Sequence, residues 1–75
     1  MENLGKVFRD FRLNGHYSLK EASGQVCSTS QLSRFELGES DMTLSKFLDL
    51  LDNIHVTLEN FMDKARNFQQ HEHVA

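Results

Sequence analysis

Residues 28–38 read Ser-Thr-Ser-Gln-Leu-Ser-Arg-Phe-Glu-Leu-Gly, and this stretch says the most about the fold. Its first serine and its glutamine have the spacing of a capping box, in which a hydroxyl begins a helix and a side chain three positions later returns a hydrogen bond. Leu32 and Phe35 share one face of that helix because they are three residues apart. Gly38 follows where a glycine ends a helix. The stretch therefore predicts a helix over residues 29–36 with an apolar inner face.

The opposite face of this helix is polar and consists of short hydroxyls, one amide and one guanidinium: Thr29, Ser30, Ser33 and Arg34, with Gln31 on the flank. These side chains can read base edges in a DNA major groove, because Arg pairs with guanine, Gln with adenine, and Ser or Thr with several partners. Amide groups at the helix N-terminus can also bind a phosphate. The same composition fits an ordinary solvated helix face, and the pattern alone leaves both interpretations open.

A second capping box, Ser18-Leu19-Lys20-Glu21, precedes this segment and predicts a short helix over residues 19–25. Three small residues follow the box, Ala22 to Gly24, so another helix can approach closely there. The gap around residues 26–28 is short. Two short helices joined in this way form a geometrically reasonable helix–turn–helix.

The flanking segments have helical periodicity and supply the remaining core. The first helix is expected over residues 3–13, with Gly15 in the left-handed conformation that ends it. Thr43 and Thr57 are expected to cap helices four and five, the last of which runs to Phe68. The predicted core comprises Leu4, Phe8, Phe11, Leu32, Phe35, Phe47, Leu48, Leu51, Leu58, Phe61 and Met62. We therefore expect an all-α fold, a compact bundle of five short helices.

Length and charge limit the possible functions. The 75 residues allow one small domain, predicted over residues 1–68, with a flexible tail over residues 69–75. No apolar run reaches the roughly 20 residues of a membrane span, and no signal-peptide pattern is present. The net charge is −3, yet residues 1–20 carry four basic and two acidic side chains. Such a dipolar domain can touch a polyanion with one face.

Catalysis and metal binding have little support in the sequence, which predicts a protein that is not an enzyme and needs no cofactor. Cys27 lacks a base fixed beside it, and it is more readily explained as a small apolar residue in a turn. His71-Glu72-His73 supplies too few ligands for a structural zinc site, which needs about four. A lone cysteine also suits the reducing cytosol, so a cytoplasmic location is expected.

Arg12 and Glu36 suggest a link between helices one and three. Each residue directly follows a predicted core residue, Phe11 or Phe35. If the two helices pack together, the pair can form a partly buried salt bridge. Two unrelated surface charges would fit the same positions.

These residues resemble a known family. Ser18-Leu-Lys-Glu-Ala-Ser and Ser30-Gln-Leu-Ser-Arg-Phe-Glu-Leu-Gly-Glu-Ser are similar to the helix–turn–helix of the phage-repressor-like (XRE) class. More narrowly, the sequence resembles the N-terminal domain of the Rgg/GadR/MutR regulators of Gram-positive bacteria. This resemblance rests on the second of these runs and on residues 43–61, Thr-Leu-Ser-Lys-Phe-Leu-Asp-Leu-Leu-Asp-Asn-Ile-His-Val-Thr-Leu-Glu-Asn-Phe. The resemblance covers about residues 3–66 and implies a lambda-repressor-like helix–turn–helix.

The resemblance also implies roles for individual residues. It implies groove-facing positions at Thr29, Ser30, Gln31, Ser33 and Arg34. It implies DNA-backbone positions at Ser18, Leu19 and Lys20, to which Ser28 is added at the start of the third helix. It favours the Arg12–Glu36 bridge, because this pair ties helix one to helix three in the class.

Two departures from the family pattern stand out. Leu37 occupies a position where these regulators usually carry an arginine, so a contact to phosphate would be lost. Related regulators also continue into a large helical-repeat domain that binds a peptide pheromone and forms a homodimer. The chain is thus expected to be a piece of such a regulator or a naturally short relative, with any peptide bound elsewhere.

Two functions remain open from the sequence. The favoured one is sequence-specific binding of double-stranded DNA by a bacterial transcriptional regulator, with helix three in the major groove and helix two across the backbone. The alternative is a protein-interaction module, of the adaptor or antitoxin type, that keeps the fold without binding DNA. Its working face would be acidic and comprise Glu39, Asp41, Asp49 and Asp52.

Overall fold

The structure is a computed structural model that describes the backbone of residues 4–74 and the side chains of residues 4–66. The described backbone forms five helices: α1 (Leu4–Asn14), α2 (Leu19–Ser23), α3 (Thr29–Glu36), α4 (Leu44–Asn53) and α5 (Leu58–Val74). The all-α prediction is therefore confirmed. Helix α1 packs against α3 and α5, while α2 packs against α3 and α4. None of the helices in the described part of the chain is long and apolar enough to span a membrane.

Hydroxyl caps begin four of these helices at the predicted residues. The Ser18 hydroxyl accepts a hydrogen bond from the Glu21 amide, and the Glu21 carboxylate accepts one from the Ser18 amide, so the predicted box is complete. At Ser28 the hydroxyl accepts from the Gln31 amide at 3.0 Å, but the Gln31 side chain does not take part in the cap. Thr43 and Thr57 cap α4 and α5 as predicted.

Three helix ends share one hydrogen-bonding pattern, the Schellman motif, in which a residue with positive φ follows the helix. Gly38 has this role after α3, with a φ of 79° and its amide bonded to the Phe35 carbonyl. His16 and His55, with φ of 62° and 57°, have it after α1 and α4. The expectation that Gly15 is the left-handed residue was wrong, because α1 extends one residue further. Gly15 matters for another reason: a Cβ there would lie 2.6 Å from the Tyr17 ring.

Helix α2 ends two residues earlier than predicted. Gly24 has φ 51° and ψ −126°, a conformation that stops the helix, and its amide donates to the Lys20 carbonyl. Helix α5 is longer than predicted, since it continues past Phe68 to Val74. The side chains of residues 67–75 lie outside the described part of the structure, so the flexibility of residues 69–75 stays a prediction.

The core forms around four phenylalanines, of which Phe47 packs against the other three. The Phe47 ring contacts Phe61 edge-on at 4.9 Å between centroids and Phe35 at 6.0 Å, and Phe8 lies within 6.4 Å of both Phe35 and Phe47. Leu4, Phe11 and Met62 are partly buried against this cluster. The predicted core positions of Leu48 and Leu58 were wrong, because these side chains are 38% and 44% exposed.

Helix α4 shows why the prediction failed at Leu48. Its sequence places leucines at 44, 48, 50 and 51, so two apolar stripes satisfy helical spacing around Phe47. The buried stripe consists of Phe47, Leu50, Leu51 and Ile54. Leu44 and Leu48 lie on the outer face instead. The helix is therefore rotated relative to the predicted stripe, and Leu50 replaces Leu48 inside.

Candidate nucleic-acid interface

Helix α3 is held against α1 by an unusually close backbone contact at Gly5. Gly5 is buried, and a Cβ built on it would overlap the carbonyl oxygen of Phe35 and touch the Cα of Glu36. No larger residue fits there without movement of one helix. The C-terminal half of α3 is therefore seated directly on the α1 backbone.

The same two helices are joined by the salt bridge expected between Arg12 and Glu36. Arg12 Nε donates to Glu36 Oε2 at 2.7 Å and Arg12 Nη2 donates to Oε1 at 2.9 Å, a bidentate arrangement. The third donor, Nη1, reaches the Tyr17 carbonyl at 2.9 Å. Arg12 and Glu36 are only 7% and 6% exposed, so the pair is buried. Bidentate hydrogen bonds of this kind compensate part of the cost of burying the two charges.

These contacts fix which side of α3 faces outward. Leu32 is fully buried and Phe35 is 7% exposed, so both lie in the core as predicted. Thr29, Ser30 and Arg34 are exposed, while Gln31 and Ser33 are half-buried at the margins. The structure thus brings the five predicted groove-facing residues onto one side of α3. Leu37 extends this surface and is 65% exposed.

The residues predicted to face the DNA backbone lie on α2 and at the start of α3. Ser18 and Lys20 are exposed, and Leu19 packs partly into the core. Ser28 is exposed beside the first turn of α3. The hydroxyls of Ser18 and Ser28 accept capping hydrogen bonds, which leaves their O–H groups able to donate outward.

The exposed charges are divided between elements. Lys6 and Arg9 on α1, Lys20 on α2 and Arg34 on α3 are exposed cations. Arg9 also lies beside the buried pair, with Nε 4.0 Å from Glu36 Oε1 and about half of its side chain accessible. The predicted acidic face, comprising Glu39, Asp41, Asp49 and Asp52, is exposed on α4 and the connector before it.

Cys27 lies half-buried in the turn between α2 and α3. Burial raises the pKa of its thiol above the ordinary value of 9.0, and the positive charge of Lys46 offsets this by a smaller amount. A thiol with a raised pKa stays protonated at neutral pH and is a weak nucleophile. Within residues 4–66 no three His, Cys, Asp or Glu side chains group as metal ligands. The His71-Glu72-His73 motif lies outside the described side chains.

Asn53, the last residue of α4, has a role that the sequence did not indicate. Its side-chain Nδ2 donates a hydrogen bond to the backbone carbonyl of Ala22, in α2, at 2.8 Å. Periodicity identifies apolar faces, and it gives no signal for one polar side chain that reaches another helix. The position of this asparagine at the end of a helix is the single sequence feature that could have indicated its role.

Comparison with known proteins supports a regulator fold. No protein-family model matches the chain. The crystal structure of the SHP pheromone receptor Rgg2 from Streptococcus dysgalactiae is similar to it, with a TM-score of 0.74 and 32% sequence identity. The match covers 96% of this chain and 30% of the receptor, so the chain spans less than a third of the length of that protein. The resemblance to Rgg regulators indicated by the sequence is confirmed, and the five helices form an Rgg-like helix–turn–helix domain.

Proposed function

We propose that this chain is the sequence-specific, double-stranded-DNA-binding domain of a bacterial transcriptional regulator, with α3 in the major groove. One observation carries the proposal. Helix α3 is fixed on one side by Leu32, Phe35 and the buried Glu36, and its other side presents exposed hydroxyls and Arg34. A rigidly held helix with a polar outer face is the element that enters the groove in helix–turn–helix proteins.

The outer face has the chemistry needed to read bases. Arg34 can make two hydrogen bonds to the O6 and N7 atoms of a guanine. Gln31 can pair with adenine through its side-chain amide, which is not used in the Ser28 cap. Thr29, Ser30 and Ser33 can donate to or accept from several base edges. Arg34 follows Ser33 and precedes the buried Phe35, so packing fixes its direction.

Contacts to phosphate would come from α2 and from the N-terminus of α3. Lys20 supplies a charge, Ser18 and Ser28 supply hydroxyls, and the amide of Leu19 lies in the first turn of α2. Phosphate contacts position a protein on DNA, and base contacts give specificity. The net charge of −3 is compatible with this arrangement because the exposed side chains of α3 include Arg34 and no acid, since Glu36 is buried.

A comparison of three variants tests the proposal. A preferred duplex is first selected from a random library, and affinity is then measured at two salt concentrations. We expect Arg34→Ala to lose about 1–3 kcal/mol on the selected duplex and to relax preference at one base pair. Lys20→Ala should weaken binding equally on all sequences and lower the salt slope by about one unit.

The matched control is Arg66→Ala, which removes the same charge from an exposed position on α5. It should leave sequence preference unchanged. The proposal is wrong if the wild type binds specifically while Arg34→Ala keeps the affinity and preference of the wild type. Recovery of no preferred duplex by the wild type would also contradict it.

The similarity to a pheromone receptor bears on the wider protein. We infer that the domain acts in the cytoplasm as part of a homodimer, and that any peptide pheromone is bound by a further domain rather than by these helices. A dimer of this class reads two half-sites about 10 base pairs apart. Selected duplexes that contain one half-site each would contradict the dimer.

Exposed leucines on α4 favour a second candidate, the protein-interaction module. Leu44 and Leu48 are 68% and 38% exposed, and Asp49 and Asp52 lie exposed on the same helix. Exposed apolar side chains rimmed by charges are typical of protein contacts. Salt-dependent retention on duplex DNA separates the two candidates, since an interaction module would not be retained.

A further inference from the structure

We propose that Asn53 is a positioning residue for DNA recognition, which holds α2 at the angle to α3 that lets both helices reach the same duplex. The inference rests on the proposed DNA-binding function. Asn53 lies on α4 and belongs to neither helix of the helix–turn–helix. It acts through a single acceptor, the carbonyl oxygen of Ala22, which it contacts at 2.8 Å.

The carbonyl of Ala22 depends on this hydrogen bond. In a continuing helix it would accept from the amide of Val26, but that amide donates to the Ser23 carbonyl at 2.9 Å. The Gly24 amide donates to Lys20. Ala22 is fully buried, so water does not reach its backbone. Without Asn53 the helix would end on a buried carbonyl that lacks a donor, which is strongly unfavourable.

Asn53 is placed rigidly enough to serve as this donor. It ends α4 between buried residues, with Leu50 and Leu51 before it and Ile54 after it. Gly24 leaves the space that the amide needs, since a Cβ at that position would lie 3.0 Å from Asn53 Nδ2. The core thus fixes the backbone at Asn53, and the side-chain amide in turn holds the end of α2.

The position of α2 matters because the helix is only five residues long, Leu19–Ser23. A helix this short is unstable without tertiary contacts. In the proposed complex Lys20 touches phosphate while Arg34 reads a base, and both contacts must form together. If the end of α2 is released, the two groups no longer match the spacing of one duplex. Specific binding should then decrease more than non-specific binding, which tolerates many geometries.

The test substitutes Asn53→Asp, which keeps the shape of the side chain and replaces the donor by an acceptor. Ile54→Val is the control, because it removes one buried methyl group at the adjacent residue and leaves the hydrogen bond intact. Both variants are studied well below their melting temperatures. If Asn53→Asp is not folded there, Asn53→Ser, which shortens the side chain without adding charge, takes its place.

The first measurement uses the protein without DNA. We expect faster amide hydrogen exchange at Gly24 and Val26 in the Asn53 variant than in Ile54→Val, with exchange at Leu32 unchanged. The second measurement compares affinity for the selected duplex and for a random duplex. We expect the Asn53 variant to lose about tenfold in the ratio of the two affinities, which corresponds to about 1.4 kcal/mol. Ile54→Val should keep the ratio of the wild type.

Each contrary result contradicts a specific step of the inference. Unchanged exchange at Gly24 and Val26 would show that Asn53 does not hold α2, and the inference is then wrong. Faster exchange with an unchanged affinity ratio would mean that Asn53 stabilises α2 without affecting DNA recognition, and the inference would again be wrong. A wild type without any sequence preference would overturn the proposed function, and the positioning role with it, while the exchange data would still report on the contact itself.

Discussion

The two contacts that hold the helix–turn–helix differ in kind. Helix α3 meets α1 through touching backbones at Gly5 and a buried, bidentate ion pair between Arg12 and Glu36. Helix α2 packs against α3 and α4, and the hydrogen bond that joins it to α4 is a single neutral one from Asn53, in the space left by Gly24. The helix proposed to read bases is therefore held more firmly than the helix proposed to touch phosphate. Charged hydrogen bonds are about twice as strong as neutral ones, which sets the expected order of effects.

The largest effect is expected when the ion pair loses one partner. Glu36→Gln should destabilise the domain by about 3–5 kcal/mol, because it leaves the buried Arg12 without a compensating charge. A domain of this kind has a total stability of about 5 kcal/mol, so the variant should retain about 0–2 kcal/mol, and up to about half of its molecules should be unfolded at room temperature. Denaturant titration followed by circular dichroism measures this.

The double variant Arg12→Met with Glu36→Gln controls for the pairing. Removal of both charges should restore part of the stability that Glu36→Gln alone loses. Strictly additive losses would mean that the two side chains do not interact in solution.

The next effect tests the backbone contact. Gly5→Ala should cost about 3 kcal/mol, the upper end for overpacking, because the new methyl group meets backbone atoms of Phe35 and Glu36 rather than a movable side chain. Gly38→Ala is the control. Nothing lies within 4 Å of a Cβ there, so its cost should be limited to the strain of positive φ, about 1 kcal/mol. Equal melting temperatures for the two variants would argue against the close approach of α1 and α3.

A smaller effect is expected at the second contact. Gly24→Ala should destabilise the domain by about 1–3 kcal/mol, because φ 51° with ψ −126° is a region that residues with a Cβ avoid. The same methyl group would crowd the Asn53 amide. Hydrogen exchange should show decreased amide protection mainly in α2. If exchange protection decreases evenly over all five helices, the contact at Gly24 stabilises the whole domain, as the contact at Gly5 is expected to do.

The smallest effect is a gain in stability. His16 and His55 take the left-handed position of a Schellman motif, which costs a residue with a Cβ about 1 kcal/mol. His16→Gly and His55→Gly should each relieve this strain and raise the melting temperature by about 4–8 °C for each kcal/mol gained. The gain at His55 should be smaller, because its ring contacts Tyr17 at 6.2 Å between centroids. A fall in melting temperature for His16→Gly would show that the histidine side chain contributes more than the strain it imposes.

Local signals in the sequence predicted the parts of the fold that local chemistry determines. Ser18, Thr43 and Thr57 cap their helices because a hydroxyl at that spacing satisfies a free amide in any context. Leu32 and Phe35 are buried as expected, and α3 offers no competing apolar stripe. The pairing of Arg12 and Glu36 was suggested by position and supported by family resemblance.

The features that the sequence did not predict depend on contacts between helices. Leu48 and Leu50 are equally good core candidates until α4 is placed on its neighbours. In the sequence, Gly5 is an ordinary position on a helical face. Only the packing of α3 against α1 shows that a Cβ would not fit there. Asn53 is likewise explained by its partner Ala22, 31 residues away in the chain. Such contacts require the tertiary structure.

The two links overlap along the chain, and this has a consequence for protein engineering. The Arg12–Glu36 link closes a loop that contains all of α2, and the Ala22–Asn53 link closes one that contains all of α3. A peptide of residues 18–38 would keep both hydroxyl caps and the glycine at its end. It would lack Arg12 and Asn53, the partners of the two links that lie outside it. Helices of five and eight residues are not stable without such tertiary contacts. The reading segment therefore cannot be excised and grafted as a unit. A change of DNA preference should instead be made in place, by exchange of the exposed side chains of α3 within the intact domain.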